Sequence, residues 1–332
     1  MKQVVYVFAA IFLLSAALSA QTMTGDAERE PVAVDPPVNS WFYASMETST
    51  GFFYGTMSEF VYEGDEVLSR LDWQEHFVPY VALVMEFDVK NVLFYFSFLS
   101  ILSSNGGLMK DFDYMNPGST AYTHYSQHTA QFEKHLEFNP AIGYRFQLGN
   151  FIIVPQAGVM FRTRKWSALD GYTQYTQTGQ AWSDSLPKQQ LGGTVITYEE
   201  SIWFPVIGLG LGYTFWDRFE TYFVGAYYPY MEVNTIDTHI LRKTRFHDTM
   251  KGGMGFYAET LFTYHPKHSD KMSFIASIGW EGVYSNKGSI SLGAVGADPS
   301  MAIGRNNYSK IESSIWWFTL GMVIYPEKLW QW

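Results

Sequence analysis

From residue 21 onward the chain holds no apolar run of 20 residues, yet aliphatic and aromatic side chains recur at every second position. In 207–215, Ile207, Leu209, Leu211, Tyr213 and Phe215 share one side of an extended strand, with Gly208, Gly210, Gly212 and Thr214 on the other. Phe318, Leu320, Met322 and Ile324 alternate with Thr319, Gly321 and Val323 in the same way. Strand side chains alternate between faces, so lipid takes the first set and a crowded barrel interior the second. A chain that cannot cross a membrane as a helix can cross it as a closed barrel, where closure pairs every backbone group. The composition agrees, with 18% aromatic and only 16% charged residues, against about 25% charged in average soluble domains. The Gly-x-Gly-x-Gly run at 208–212 opens no helix, so it is not a dinucleotide loop.

Connections between apolar runs alternate in length. Tight turns fall at 88–91, 148–150, 216–218 and 266–271, and long polar connections at 103–127, 165–193, 235–251 and 285–307. Short periplasmic turns and long external loops produce this alternation in outer-membrane barrels. The pattern predicts an all-β fold: a transmembrane antiparallel up-and-down β-barrel of about ten strands with long extracellular loops. The predicted strands are 51–63, 67–87, 92–104, 128–147, 151–164, 196–215, 219–234, 252–265, 272–285 and 309–325. Several exceed the roughly 9–11 residues a tilted crossing needs, so the barrel is expected to project beyond the membrane. Pro155, Pro205 and Pro229 fall inside predicted strands and mark a bulge or local break, because proline removes a ladder donor.

The N-terminus reads as a secretory signal, residues 1–20: Lys2, an apolar Val4-to-Leu14 stretch, then small residues to Ala20. Residues 21–48 are polar and proline-bearing and read as a flexible periplasmic leader, with the barrel domain over 49–332. The chain has no cysteine, which excludes disulfides, thiol catalysis and cysteine-held metals. A net charge of −10 argues against nucleic acid as a partner. No cofactor and no metal is expected. His124 and His128 have ligand spacing only on a helix, and they sit in a Ser/Thr/Tyr-rich predicted loop. His265 and His268 fall in a predicted turn and are expected to be solvated. Trp203, Tyr227, Tyr228, Trp316 and Trp317 are candidate interfacial girdles.

If the leader starts in the periplasm, odd-numbered strands run outward. The third then delivers Asp111 and Asp113, and the seventh Asp237 and His239, into external loops at one rim. Alone, Asp-x-Asp is also turn chemistry or a calcium ligand pair. Residues i and i+2 of a strand point the same way, so each pair extends into the barrel mouth as a unit. Asp237 can fix the tautomer of His239 and raise its basicity, leaving the other ring nitrogen to take a proton from water. Two adjacent carboxyls resist joint ionisation, so one holds a proton near neutral pH. Together they form a candidate water-activating site.

On these residues the chain resembles the omptin family of outer-membrane endopeptidases. The matching segments are 54–59, 69–73, Gly106 to Gly118, 204–209 and Asp237-Thr238-His239, in order across roughly residues 50 to 325. The resemblance implies a ten-stranded barrel cleaving exposed polypeptides at its outer rim. Asp111 and His239 would flank the attacking water, with Asp237 orienting His239 and Asp113 assisting Asp111. It also implies an acidic pocket for basic substrate side chains, to which Glu59 contributes. The second pocket acid falls at Thr235, so the preference for Arg or Lys is expected to weaken. Omptins need lipopolysaccharide and grip it with outward basic residues. Arg162, Arg164 and Lys165 lie near one such region, but Ser201 stands where an arginine is expected, and that dependence is not carried over. The chain also continues past the last strand to Trp332. A catalytically silent surface barrel, acting as adhesin or structural protein, and a small porin are the competing readings.

Overall fold

The computed structural model describes residues 42–325 apart from 117, 178–179, 216–217, 268, 270, 296–300 and 303–306. The expected signal, most of the expected leader, His268 and residues 326–332 lie outside them. Strands form one antiparallel sheet that closes when the first and last pair over 18 positions, Met46 with Ile324 through Glu63 with Asn307.

Ten legs make up the ring. They are β1 (Phe42–Glu63), β2 (Glu66–Val89), the segments β3 (Val92–Ile101) and β4 (Asn105–Asp113), and β5 (His124–Tyr144), which β6 (Phe146–Leu148) extends. Next come β7 (Phe151–Tyr175), the short β8 (Gln189–Gln190), β9 (Thr194–Phe215), and the leg made of β10 (Phe219–Tyr228) and β11 (Glu232–His239). The return leg is β12 (Thr244–Lys251) with β13 (Gly253–Tyr264), followed by β14 (Met272–Ser285) with β15 (Gly288–Ala294). A short β16 (Met301–Ala302) precedes the closing β17 (Asn307–Ile324). At one end the turns are tight: Lys90 and Asn91 both adopt left-handed backbone (φ 53° and 71°), the two-residue hairpin geometry that matches strand twist.

The expected long loops are largely strand. Asp111 and Asp113 lie on β4, Asp237 and His239 on β11, and β7 runs 25 residues to Tyr175. Hydropathy alternation is blind to this region. Above the bilayer both faces of a strand can be polar, and only ladder pairing keeps it extended. At roughly 3.3 Å per residue, β7 is far longer than a membrane crossing.

All three prolines lie where a ladder lapses on one side. Pro155 pairs with Leu209 on β9, but the register on its other side stops at Gly143–Gln156 and resumes with β6. Pro205 pairs with Val159, while its other flank faces the 229–231 break that contains Pro229. The missing donor therefore sits where no partner carbonyl is paired.

The alternation places side chains as expected. Ile207, Leu209 and Leu211 face outward and exposed, as do Phe318 and Leu320, while a Cβ at Gly210 would strike the Tyr222 hydroxyl inside. Two girdle candidates are corrected. Tyr228 is buried and Trp317 packs inward to donate to Glu259, whereas Trp203, Tyr227 and Trp316 face outward. Neighbouring residues of a strand take opposite faces, so neither Tyr227 and Tyr228 nor Trp316 and Trp317 can both reach lipid.

The interior is filled at two levels. One cluster gathers Trp73, Trp166, Tyr198, Phe132 and Met109, with the Trp166 and Phe132 rings stacked at 4.9 Å. Burying each large side chain contributes about 1.5–3 kcal/mol. Below it, Arg162 Nη1 meets Glu281 Oε2 at 2.6 Å and Arg162 Nη2 meets Glu137 Oε2 at 3.0 Å. Arg164 donates both Nε and Nη2 to the Glu200 carboxylate. Arg162 and Arg164 are thus lumen residues rather than lipid-facing ones, and of the three basic residues only Lys165 points outward, to Glu199 and Glu133. Plugged in this way, the purified protein is expected to give no steady open-channel conductance in planar bilayers. A stable conductance step would instead support the porin reading.

Candidate active site

Two walls carry the site, both at the end of the barrel opposite the tight turns. On the first, β4 pairs between β2 and β5, with Leu71 opposite Asp111 and Ser69 opposite Asp113. Met109, Asp111 and Asp113 follow one another on its inward face, and Met109 is wholly buried. Ser69 Oγ donates to Asp111 Oδ1 at 3.2 Å. On the second wall, β11 pairs between β9 and β12, with Asp237 opposite both Tyr198 and Phe246. The inward row runs Val233, Thr235, Asp237, His239. His239 Nε2–H donates to Asp237 Oδ2 at 2.7 Å, the only sense open to an ionised carboxylate. That leaves Nδ1 as the acceptor.

The walls face each other closely enough to couple. Burial and the neighbouring Asp113 push the Asp111 carboxyl up to about 8, against the pull of His239. Burial raises Asp113 too, with Ser69 and Arg242 opposing. For His239, burial disfavours the imidazolium, but the Asp237 and Asp111 carboxylates outweigh it and its pKa is raised. Near neutral pH the Asp111–Asp113 pair therefore retains a proton, while the carboxylates beside His239 make it a stronger base than a free imidazole. Such a pairing can hold a polar molecule and move a proton to or from it.

Glu59 on β1 joins this end of the barrel and is buried, accepting from the Tyr198 hydroxyl at 3.2 Å. Sequence reasoning missed Asp248, which it left in a connection. β12 places it directly across from Thr235, whose hydroxyl donates to Asp248 Oδ2 at 3.2 Å. The signal was available in hindsight: a hairpin turning at 240–243 puts 235 against 248. It also missed Ser69 and Arg242, whose roles depend on neighbours remote in the chain.

Among the described residues no cluster of three or more His, Asp or Glu side chains could hold a metal ion. His128 is buried on β5 with one ring nitrogen on the Asp170 carbonyl and the other on Ser126 Oγ, and strand geometry separates it from His124. His265, expected in solvent, is buried, with its ring against Ser273 Oγ at 2.6 Å and its backbone N–H donating to the Arg218 carbonyl at 2.8 Å.

Comparisons with known proteins bear on this arrangement. A family model described as the Omptin family matches residues 43–324. The plasminogen activator of Yersinia pestis is 26% identical over 219 residues, which is 63% of this chain and 66% of that protein, just under two thirds of its length. Among solved structures, the outer membrane protease OmpT from Escherichia coli superposes with a TM-score of 0.77 at 22% identity, covering 88% of this chain and 99% of that one. At that identity the likeness is one of fold.

Proposed function

This chain belongs to the omptin family, and on that premise we propose that it is an outer-membrane endopeptidase that hydrolyses exposed polypeptides with a water activated between Asp111 and His239. The observation that carries the reading is the placement of Asp111 on β4, held by Ser69, at the same barrel end as His239 on β11, which is anchored on Asp237 at 2.7 Å. The names of its relatives, a protease and a plasminogen activator, point to polypeptide substrates.

In the proposed mechanism, neutral His239 accepts a proton from water at Nδ1 as the water oxygen attacks the scissile carbonyl carbon. The Asp237 carboxylate stabilises the imidazolium that forms and fixes its tautomer. The Asp111–Asp113 pair, holding one proton, orients the water from the other side. Collapse of the tetrahedral intermediate breaks the C–N bond, and His239 returns its proton to the leaving amine. No covalent enzyme intermediate is needed. The exposed apolar outer belt supports membrane residence. Residues 1–20 as a secreted signal, 21–48 as a periplasmic leader and the site's orientation to the cell exterior are part of the same proposal.

The test uses refolded protein and a panel of fluorogenic peptides. His239 must be neutral to act as base, and its raised pKa sets the acidic limb of kcat/KM. Replacing Asp237 by asparagine removes the anion that raises it. The limb is expected to move to lower pH, with kcat down roughly 10²–10⁴-fold, as for loss of a general-base partner. Cleavage with an unmoved limb in Asp237→Asn would overturn the assignment, as would no cleavage of any peptide by the parent protein.

A further inference from the structure

Phe112 separates Asp111 from Asp113 on β4, so its side chain takes the opposite face of the strand and points away from the lumen. It is nevertheless only 9% exposed. Part of its cover is the sheet itself. Arg70, Phe112, Tyr125 and Gln174 are successive cross-strand partners on β2, β4, β5 and β7. The Arg70 guanidinium lies 4.4 Å over the Phe112 ring, and the Tyr125 ring is 5.2 Å from it. The rest comes from the connection after β7, whose residues 182–186 fold back over the outside of this wall. The Trp182 ring lies 5.1 Å from Tyr122 and 5.4 Å from Tyr125, and Tyr122 meets Phe112 edge-on at 5.1 Å. Trp182 N–H donates to the Tyr122 carbonyl at 2.9 Å. Gln174, fully buried, donates from Nε2 to the carbonyls of Asp184 at 3.2 Å and Leu186 at 2.7 Å. An aromatic clasp, fastened by directed hydrogen bonds, thus backs the stretch of β4 that carries both carboxyls.

We propose that Trp182 is a positioning residue for the Asp111–Asp113 pair: seated on Tyr122 and Tyr125, it clamps Phe112 from outside the barrel and so fixes where both carboxyls stand on the cleft wall. The inference rests on the endopeptidase reading above. One strand carries all three side chains, so an outward shift of Phe112 takes Asp111 and Asp113 with it. On the cleft side the Ser69 hydroxyl holds Asp111 at 3.2 Å. The cleft has to stay open to a substrate, so further restraint has to come from behind the strand. Reacting groups need to be held within roughly 0.5 Å of their working geometry, and a displacement of about 1 Å can lower turnover about 10²-fold. A flat ring wedged on two others resists such a displacement better than a flexible aliphatic chain, because aromatic pairs have preferred geometries.

The pH profile separates positioning from folding. Burial, then the neighbouring Asp113, push the Asp111 carboxyl up to about 8. In the mechanism above, loss of the proton this pair holds sets the alkaline limb of kcat. The groups facing the pair are Ser69 from β2, His124 from β5, Tyr175 from β7, Asp237 and His239 from β11, and Arg242 from the turn that follows. A loosened β4 admits water and draws the carboxyls out of place, which weakens both causes of the upward shift. An acid whose raised pKa falls gives up its proton at lower pH, so the limb moves to lower pH. A smaller folded fraction scales the whole profile and leaves the limb where it was.

The experiment uses the refolded full chain and a fluorogenic peptide that the parent cleaves, with rates normalised to the heat-modifiable folded fraction. Trp182→Ala is expected to lower kcat about 10–100-fold, to leave KM within about 3-fold of the parent, and to move the alkaline limb to lower pH. Trp182→Phe keeps a flat ring on the two tyrosines and should recover both kcat and the limb. Trp182→Leu keeps apolar bulk without the ring and should recover neither. An unchanged kcat and limb in Trp182→Ala, or a loss confined to the folded fraction, overturns the clamp while leaving the endopeptidase standing. Should Trp182→Ala fail to refold, the other two variants decide, and equal kcat in Trp182→Phe and Trp182→Leu overturns the proposal. Failure of both Trp182→Ala and Trp182→Leu to refold assigns Trp182 to folding and overturns it as well. If the parent cleaves no peptide, the endopeptidase reading itself falls and the positioning role with it.

Discussion

Alanine at Asp111 or at His239 is expected to lower kcat by roughly 10³-fold or more, while the protein still refolds to a heat-modifiable barrel. General-base groups contribute about 10²–10⁴-fold, and groups acting as one unit lose nearly everything when any member is removed. Both side chains sit high on the walls, above the Trp73, Trp166 and Phe132 cluster, so truncation creates no void in the main packing. Loss of the Asp111 carboxyl also relieves a crowded acidic patch in which Asp113 and Asp237 already resist its ionisation. The variant should therefore be no less heat-stable than the parent. The defect should appear in kcat with little change in KM, and the double variant should be no worse than the more damaged single one. Undiminished turnover in either single variant refutes the roles proposed for them.

Arg162→Ala is expected to act in the opposite sense, through folding. Among the described residues its guanidinium is the only cation paired with Glu281, and it is one of two partners of Glu137, which also accepts from His135 at 2.8 Å. Tyr228 adds a hydrogen bond to Glu281 at 3.0 Å. Removing one partner of a buried ion pair costs about 3–5 kcal/mol, mainly from the charge left without compensation. The variant should lose most of its folded band on refolding, or unfold at a markedly lower urea concentration. Combining it with Glu281→Gln should recover part of the loss, because the stranded charge is then removed. If Arg162→Ala unfolds with the parent midpoint, the lumen network is not holding the barrel together.

How much of this was legible in advance depends on the residues in question. Ile207, Leu209 and Leu211 advertised their outward face because lipid rewards an unbroken alternation. Pro155, Pro205 and Pro229 marked ladder lapses because an imide nitrogen has no proton to give, wherever it sits. Asp111-Phe112-Asp113 and Asp237-Thr238-His239 were recognisable as paired motifs at one rim from their i, i+2 spacing. Their surroundings were misjudged: the segments carrying them looked like loops, because polarity on both faces erases the two-residue signal once a strand leaves the bilayer. The same blindness hid Asp248.

Local chemistry, then, was enough to specify the barrel, its ten crossings, the shared end of the two acidic motifs and the hydrogen bond between Asp237 and His239. Only the closed ring decided which side chains meet across it, Arg162 with Glu281 and Tyr198 with Glu59, and set Asp111 within electrostatic reach of His239. Pairing within one strand follows from the pleat and can be counted along the chain. Pairing across the lumen depends on register, stagger and closure of all ten legs together, and no single segment carries that information.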